Sequence, residues 1–444
     1  WVPMGRIPFA IVVVSLLLGC DSTPLPMMED PPLPPEGPAP QVQVTLGFGP
    51  APLEGDLRLT QPEGSRGWSY AVDLDQDGEA DHAGVLENDI GFRYRFTTPG
   101  PHVIRVVLTG PAGPVDVEVP VVVQYPDRVR LLAETTVEPL DPEAGEFEGI
   151  AVDPAGENVY VGDFQDGAVV RIEAAGLVQR EGIQLPRGVE GLSVSPSGDY
   201  LFVGFKNNYW SARLALPELV AEPPPQEVGG YTKFYVAALD DRLALYGGGS
   251  ALAIQDLHSG EQLAAIDEMN GEVFHAWHFD VHPDGDRAAV LDFHDHPAIH
   301  VVGLPDLDVR LTHHLPEGFV GRTAAWDHVD DRIHLIVSTV FTVDDFYVVI
   351  DAASGDIERW MPLGPLGCSY CVANPVARSR DGRYIAFERN GGVLIVDTTI
   401  DLPILLVDPV RSFSSTSVAA DPTADATFWL LNQWGRLRRI EILP

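Results

Sequence analysis

The chain has 444 residues, a formal charge of −37 and a sequence pI near 4.4, with 45% of its residues hydrophobic. That length holds two or three domains and a large apolar core. So acidic a surface, with lysine only at Lys206 and Lys233, repels phosphate backbones; it excludes nucleic acid as a partner and offers anionic lipid no basic patch.

Residues 1–19 read as a signal peptide: Arg6, an apolar run over Ile11–Leu18, then small residues. The run spans about ten residues, well short of the roughly 20 that cross a bilayer. It stops at Leu17-Leu18-Gly19-Cys20, and a proline-rich stretch over 21–40 follows. Such a stretch stays extended and semi-rigid and buries no core. The Leu-Leu-Gly-Cys run resembles the lipobox of bacterial lipoproteins. The resemblance implies a lipidated Cys20 with the signal cut before it, a stalk over 20–40, and a chain held to a membrane through its N-terminal lipid. It implies a bacterial cell-envelope location, periplasmic or cell-surface. Two or more acyl chains hold stably where one holds marginally. The alternative is a plain cleaved signal whose last residue happens to be the cysteine.

Over 41–125 the pattern turns to period two. "QVQVTLGFG" opens it; Phe92–Phe96, Val103–Leu108 and Val115–Val123 continue it, with turns at Pro99-Gly100 and over 110–113. Short strands between such turns predict a β-sandwich. Tyr94-x-Phe96-x-x-Pro99-Gly100 followed by Ile104-x-Val106-x-Leu108 resembles the second half of polycystic-kidney-disease (PKD) repeats, which implies an immunoglobulin-like fold. Within this segment Asp73-x-Asp75-x-Asp77-Gly78-x-x-Asp81 carries carboxylates at the spacing of a calcium loop. Alternate carboxylates converge on a hard cation, and the glycine allows the sharp turn. Gly84 stands where a bidentate glutamate is usual, so Glu87 or Asp89 would have to close the shell. Calcium held by Asp73, Asp75, Asp77 and Asp81 is one reading; an acidic hairpin turn is the other.

Residues 126–444 repeat themselves. "GIAVDPAGENVYVGD" at 149 returns in altered form at 191, 234, 278, 323, 375 and 417, each time as strand, tight turn and strand, with a third strand after it. Units of 40–50 residues that each read as one small sheet predict a seven-bladed β-propeller. "RVRLLAE" at 128 is expected to supply the outer strand of the last blade and close the ring. Ala-Val-x-Pro-x-Gly-x-x-Val-Tyr-Val at 151–161 resembles propellers of the YVTN, NHL and tryptophan-aspartate repeat types. Propellers of this kind host enzymes, scaffolds and receptors alike.

The architecture gathers the loops before each first strand and after each second strand on one rim. Candidate ligand-facing residues there are Glu148, Asp163, Glu190, His275, His278, His294, His296 and Arg322. The four histidines, with Asp292 or Asp295, have the ligand chemistry of a zinc, copper or iron site; the other readings are a polar ligand rim and plain solvated loops. Cys368 and Cys371 form "CSYC", read as a small disulfide in an exported chain, with free thiols, metal and redox chemistry as alternatives. The sequence shows no nucleophile with its base and no dinucleotide or P-loop glycine pattern. The reading is an anchored binding or scaffold protein that presents a propeller rim to a protein or glycan partner. Its rival is a metal-assisted hydrolase or lyase, since similar propellers include lactonases and streptogramin lyases, centred on Glu148, Glu190, His275 and His294.

Overall fold

The computed structural model describes residues 40–444 except 46, 63–66, 111–112, 142–144, 166, 206–209, 223–225, 228–234, 249–250, 270–271, 293–296, 328–329, 340–343, 366–375, 390–391 and 408–415. The anchor residue Cys20, the stalk, His294, His296 and the pair Cys368 and Cys371 lie outside the described residues. The described chain is strand and turn, with a single 3₁₀ turn over Pro126–Arg128. It divides into two compact units, Trp1–Val123 and Gln124–Pro444.

The first unit has two sheets. Gln41–Val44, Leu53–Thr60 and Ile90–Phe96 form one; Phe48–Gly49, Gly113–Val123, Gly100–Gly110, Ser69–Asp73 and His82–Val85 form the other, in that order. Alternation sets the inner faces. Along Ile90–Phe96 the chain buries Phe92, Tyr94 and Phe96 and turns Arg93 and Arg95 outward, because successive strand side chains point to opposite faces. One core joins the sheets through Leu57, Val72, Tyr94, Ile104 and Val106.

Besides a small two-stranded ribbon of Glu268–Met269 with Glu272–Val273, the second unit holds, among the described residues, seven antiparallel sheets of four or five strands, the blades. Their first strands are Phe147–Val152, Val189–Val194, Tyr235–Ala238, Ala276–Val281, Phe319–Trp326, Val376–Arg378 and Thr416–Ala420. Each repeat segment of the sequence contributes one of them. Each first strand packs beside the next, and that of blade 7 returns to that of blade 1, which closes a ring. This is a β-propeller. The last sheet is completed from the other end of the unit: Val129–Thr136 pairs with Arg436–Ile442, so the run at 128 takes the outer position expected for it.

The strand patterns follow from the stacking. Third strands such as Ala251–Asp256, Ala298–Gly303 and Gly392–Asp397 are buried at every residue, since a neighbouring blade covers each face. The outer strand Val309–His314 alternates instead. Buried polar residues recur just after the first strands, where they cap the turn to the second. Asp153 accepts Glu157 N–H at 2.8 Å, Ser195 accepts Tyr200 N–H at 3.2 Å, Ser379 accepts Tyr384 N–H at 2.9 Å and Asp421 accepts Thr423 N–H at 2.9 Å. These satisfy turn amides that burial would otherwise leave without partners.

Candidate functional site

Four first strands carry one residue more than their neighbours can pair. Pairing slips between Phe147 and Ile150, Val189 and Gly191, Ala276 and His278, and Gly321 and Thr323. A bulge re-aims the side chain it carries. The bulged positions hold Glu148, Glu190, Trp277 and Arg322. Each follows a residue paired near the end of the second strand, at Asp163, Phe205, Asp292 and Val337. The four therefore stand at one level of the ring, on the face bearing the loops between second and third strands.

Tyr235 opens the first strand of blade 3 at the same end. Its side chain is nine-tenths buried and its hydroxyl has no hydrogen-bond partner among the described residues. Burial drives the pKa of this phenol well above its ordinary value, and the charges of Glu190, Glu388 and Glu148 push the same way. Glu388 ends the second strand of blade 6 and is buried. Carboxylates from blades 1, 2 and 6 thus act on one hydroxyl from blade 3.

Blades 4 and 5 line the remaining side. The ring of His278 meets Tyr235 edge-on at 5.2 Å between centroids. Its Nδ1 accepts the Ala324 amide at 3.3 Å, and its Nε2 lies 3.5 Å from Thr323 Oγ1. Because an amide donates to Nδ1, the neutral ring carries its proton on Nε2. Arg322, the residue before Thr323, is buried as well. Within blade 5 the Ser338 hydroxyl donates to Asp345, both buried, and the Ser417 hydroxyl donates to the Glu148 carbonyl at 3.0 Å, tying blade 7 to blade 1.

Of the residues expected on the rim, Glu148, Glu190, His278 and Arg322 are brought to this mouth. Asp163 closes the second strand of blade 1, buried, and accepts Gln165 N–H at 2.9 Å. His275 precedes the first strand of blade 4 and gives its amide to Asp292 at 3.4 Å. Sequence reasoning missed Trp277, Tyr235 and Glu388. Trp277 holds the register position of Glu148 and Glu190 and was findable from it; the other two carry no spacing signal.

A second polar cluster joins the far ends of the first strands of blades 4, 5 and 6. Arg378, at the end of the first strand of blade 6, reaches across to Asp280 of blade 4 with two hydrogen bonds, 2.8 and 3.1 Å. The same guanidinium donates to the carbonyls of Val281 and Trp326 at 3.1 and 3.3 Å, and the Trp326 amide donates to Asp280 at 2.8 Å. Burial raises the Asp280 carboxyl above its ordinary range by more than Arg378 lowers it. One ion pair thus pins blades 4, 5 and 6 around the axis.

In the first unit the acidic loop joins Ser69–Asp73 to His82–Val85. Asp73 accepts the amides of Gln76 and Gly78 at 2.7 and 3.1 Å, Asp77 that of Glu79 at 2.8 Å, and Asp81 that of Leu74 at 2.6 Å. One carboxylate oxygen each from Asp73, Asp75 and Asp81 falls within 4.8 Å of the others, so the donor set suits a calcium-sized ion with three protein carboxylates. Asp77 is not part of that set. Asp89, considered for the missing ligand, instead accepts Gln61 N–H at 3.2 Å.

No family model matches the sequence, and no curated protein matches it. Solved structures do match its shape. Hydrazine synthase of Kuenenia stuttgartiensis superposes with a TM-score of 0.58 at 13% identity, over 69% of this chain and 97% of that one. The β-propeller domain of Cps50 (Swd1) from Myceliophthora thermophila gives 0.51 at 11% identity, over 71% of this chain and 99% of that one. At such identities the likeness is one of fold alone. Fold and site together define the class: an all-β protein with a propeller whose polar mouth is ringed by bulged first strands.

Proposed function

We propose that the chain is a membrane-anchored, extracytoplasmic binding lipoprotein of the bacterial cell envelope. Cys20 carries the lipid and the proline stalk spaces the folded part from the bilayer. The first unit serves as a PKD-like, immunoglobulin-like module; the crossing of Phe48–Gly49 from one sheet to the other, where it pairs in parallel with Val122–Val123, supports that assignment. Its acidic loop takes calcium through Asp73, Asp75 and Asp81. The propeller presents its mouth to a protein or glycan partner. The observation that carries the reading is the matching set of bulges that holds Glu148, Glu190, Trp277 and Arg322 at one level of the first strands, with the charges of Glu148 and Glu190 acting on the buried hydroxyl of Tyr235. A mixed acidic, basic and aromatic set on one rim is the composition of a recognition surface.

The test is binding of the mature chain to a glycan array and to cross-linked envelope fractions, compared with Glu190→Gln and Arg322→Ala. Capture of a defined glycan or protein, lost in both variants while their melting temperatures hold, supports the reading. Equal capture by all three overturns it, and so does hydrolysis or elimination of a lactone or ester that depends on the same residues. Mass spectrometry of the mature N-terminus tests the anchor separately: an unmodified residue downstream of Cys20 refutes it.

A further inference from the structure

On the side of the propeller away from the mouth, blades 5 and 6 bring His334, Asp327 and Asp401 together. One donor atom of each lies within 4.8 Å of the other two. His334 sits on the second strand of blade 5, its side chain fully buried; Asp327 follows the first strand and is buried too. Asp401 comes from the turn between Gly392–Asp397 and Leu402–Val407 of blade 6 and is 17% exposed at its side chain.

Two orphaned atoms set this cluster apart. Among the described residues His334 Nε2 is buried without a hydrogen bond; its approach to Asp327 Oδ2 is 3.7 Å, beyond the reach of an N–H···O bond. Asp401 Oδ1 is buried without a partner as well, while its Oδ2 receives Arg332 at 2.9 Å. A buried polar atom with no partner is costly and uncommon, and here one comes from each of two blades that share the cluster. His334 Nδ1 lies 2.6 Å from the Tyr347 hydroxyl. With Nδ1–H donated there, the lone pair of Nε2 faces the cluster, as a neighbour to a metal-ligating histidine commonly arranges.

We propose that His334, Asp327 and Asp401 bind a divalent transition metal that ties blade 5 to blade 6. An imidazole nitrogen with two carboxylates suits Zn²⁺ and its neighbours Co²⁺ and Mn²⁺ rather than Ca²⁺, and three protein ligands leave a position for water. Local charge agrees. Arg332 pairs with Asp330, Glu358 and Asp401 at 3.3, 2.7 and 2.9 Å. With Asp327 beside them the carboxylates outnumber this guanidinium, an excess of negative charge that a dication offsets. The partly exposed Asp401 marks the way in.

The experiment strips the chain with a chelator and loads it with Co²⁺. Bound metal is counted by elemental analysis and the visible ligand-field bands are recorded, for the unaltered chain, His334→Gln and Asp401→Asn. The acidic loop and other histidines also take Co²⁺, so the readout is a difference. The expected result is one equivalent fewer in each variant, with loss of the bands of a nitrogen-ligated, low-coordinate ion. Asp401→Asn is isosteric and keeps an oxygen to accept from Arg332, so it folds even where His334→Gln does not. Zn²⁺ should raise the melting temperature of the propeller in the unaltered chain and not in Asp401→Asn. Unchanged stoichiometry and bands in both variants, or no nitrogen-ligated Co²⁺ in the unaltered chain, overturns the proposal in favour of a buried water.

Discussion

Replacing Arg378 by methionine tests how the propeller is held at its axis. The substitution keeps most of the side-chain volume and removes two hydrogen bonds to Asp280 and two to backbone carbonyls. Taking one partner from a buried ion pair costs about 3–5 kcal/mol, most of it the charge left behind. The side chains of Arg378 and Asp280 are 18% and 14% exposed, so water relieves part of that, and a loss of about 3 kcal/mol is expected, roughly a hundredfold in the folding constant. Asp280→Asn in the same chain should recover at least half of it. Urea titration of the propeller transition measures both. The pH dependence follows from the direction of the Asp280 shift. Its carboxyl is raised in the fold, so ionising it opposes folding; that cost is absent below the unfolded pKa and complete above the folded one. Removing Arg378 raises the folded pKa further, and the penalty should be largest at neutral pH and shrink as the solution is acidified through the carboxyl range. A loss below about 1 kcal/mol, or the same loss with and without Asp280→Asn, refutes the reasoning.

Three further outcomes are expected. Gly167→Ala should destabilise blade 1 by roughly 2–4 kcal/mol in the same titration, because Gly167 has φ +80° and an added Cβ would lie 2.0 Å from the Arg187 carbonyl oxygen. Tyr235→Phe removes a buried hydroxyl without a partner, so stability should stay level or rise by up to about 1 kcal/mol while capture of the partner falls; a marked loss of stability would show that the hydroxyl is bonded. Calcium should bind the acidic loop with a Kd on the order of 10⁻⁴–10⁻³ M, and Asp81→Asn, which keeps an acceptor for the Leu74 amide, should weaken it at least tenfold by titration calorimetry; unaltered affinity sinks the assignment.

The propeller was legible because its physics repeats. Each blade must bury two faces and turn twice, so apolar runs and Pro/Asp/Gly turns recur at 149, 191, 278 and 375. The outer run at 128 was legible as well, since a sheet that ends on a third strand needs a fourth. The mouth was legible only where residues share a register, as Glu148, Glu190 and Arg322 do. Glu388 of blade 6 acts on Tyr235 of blade 3 through its charge, and nothing local in a sequence encodes an influence between elements so far apart in it. Asp280 with Arg378 and His334 with Asp401 escaped for the same reason: the partners are 98 and 67 positions apart in the numbering, and each alone reads as an ordinary strand or turn residue.

The pairing of Val129–Thr136 with Arg436–Ile442 has a bearing on how the molecule is made. The two halves of this seam are separated by some 300 residues of chain, a large closure to achieve before any reward. Until the latter half has emerged, the growing barrel of blades is a row with two raw margins, each able to zip onto a sibling chain. A polypeptide built this way profits from being kept unfolded until synthesis is finished, and a lesion at the seam should show itself as clumping during production rather than as a weakened finished product.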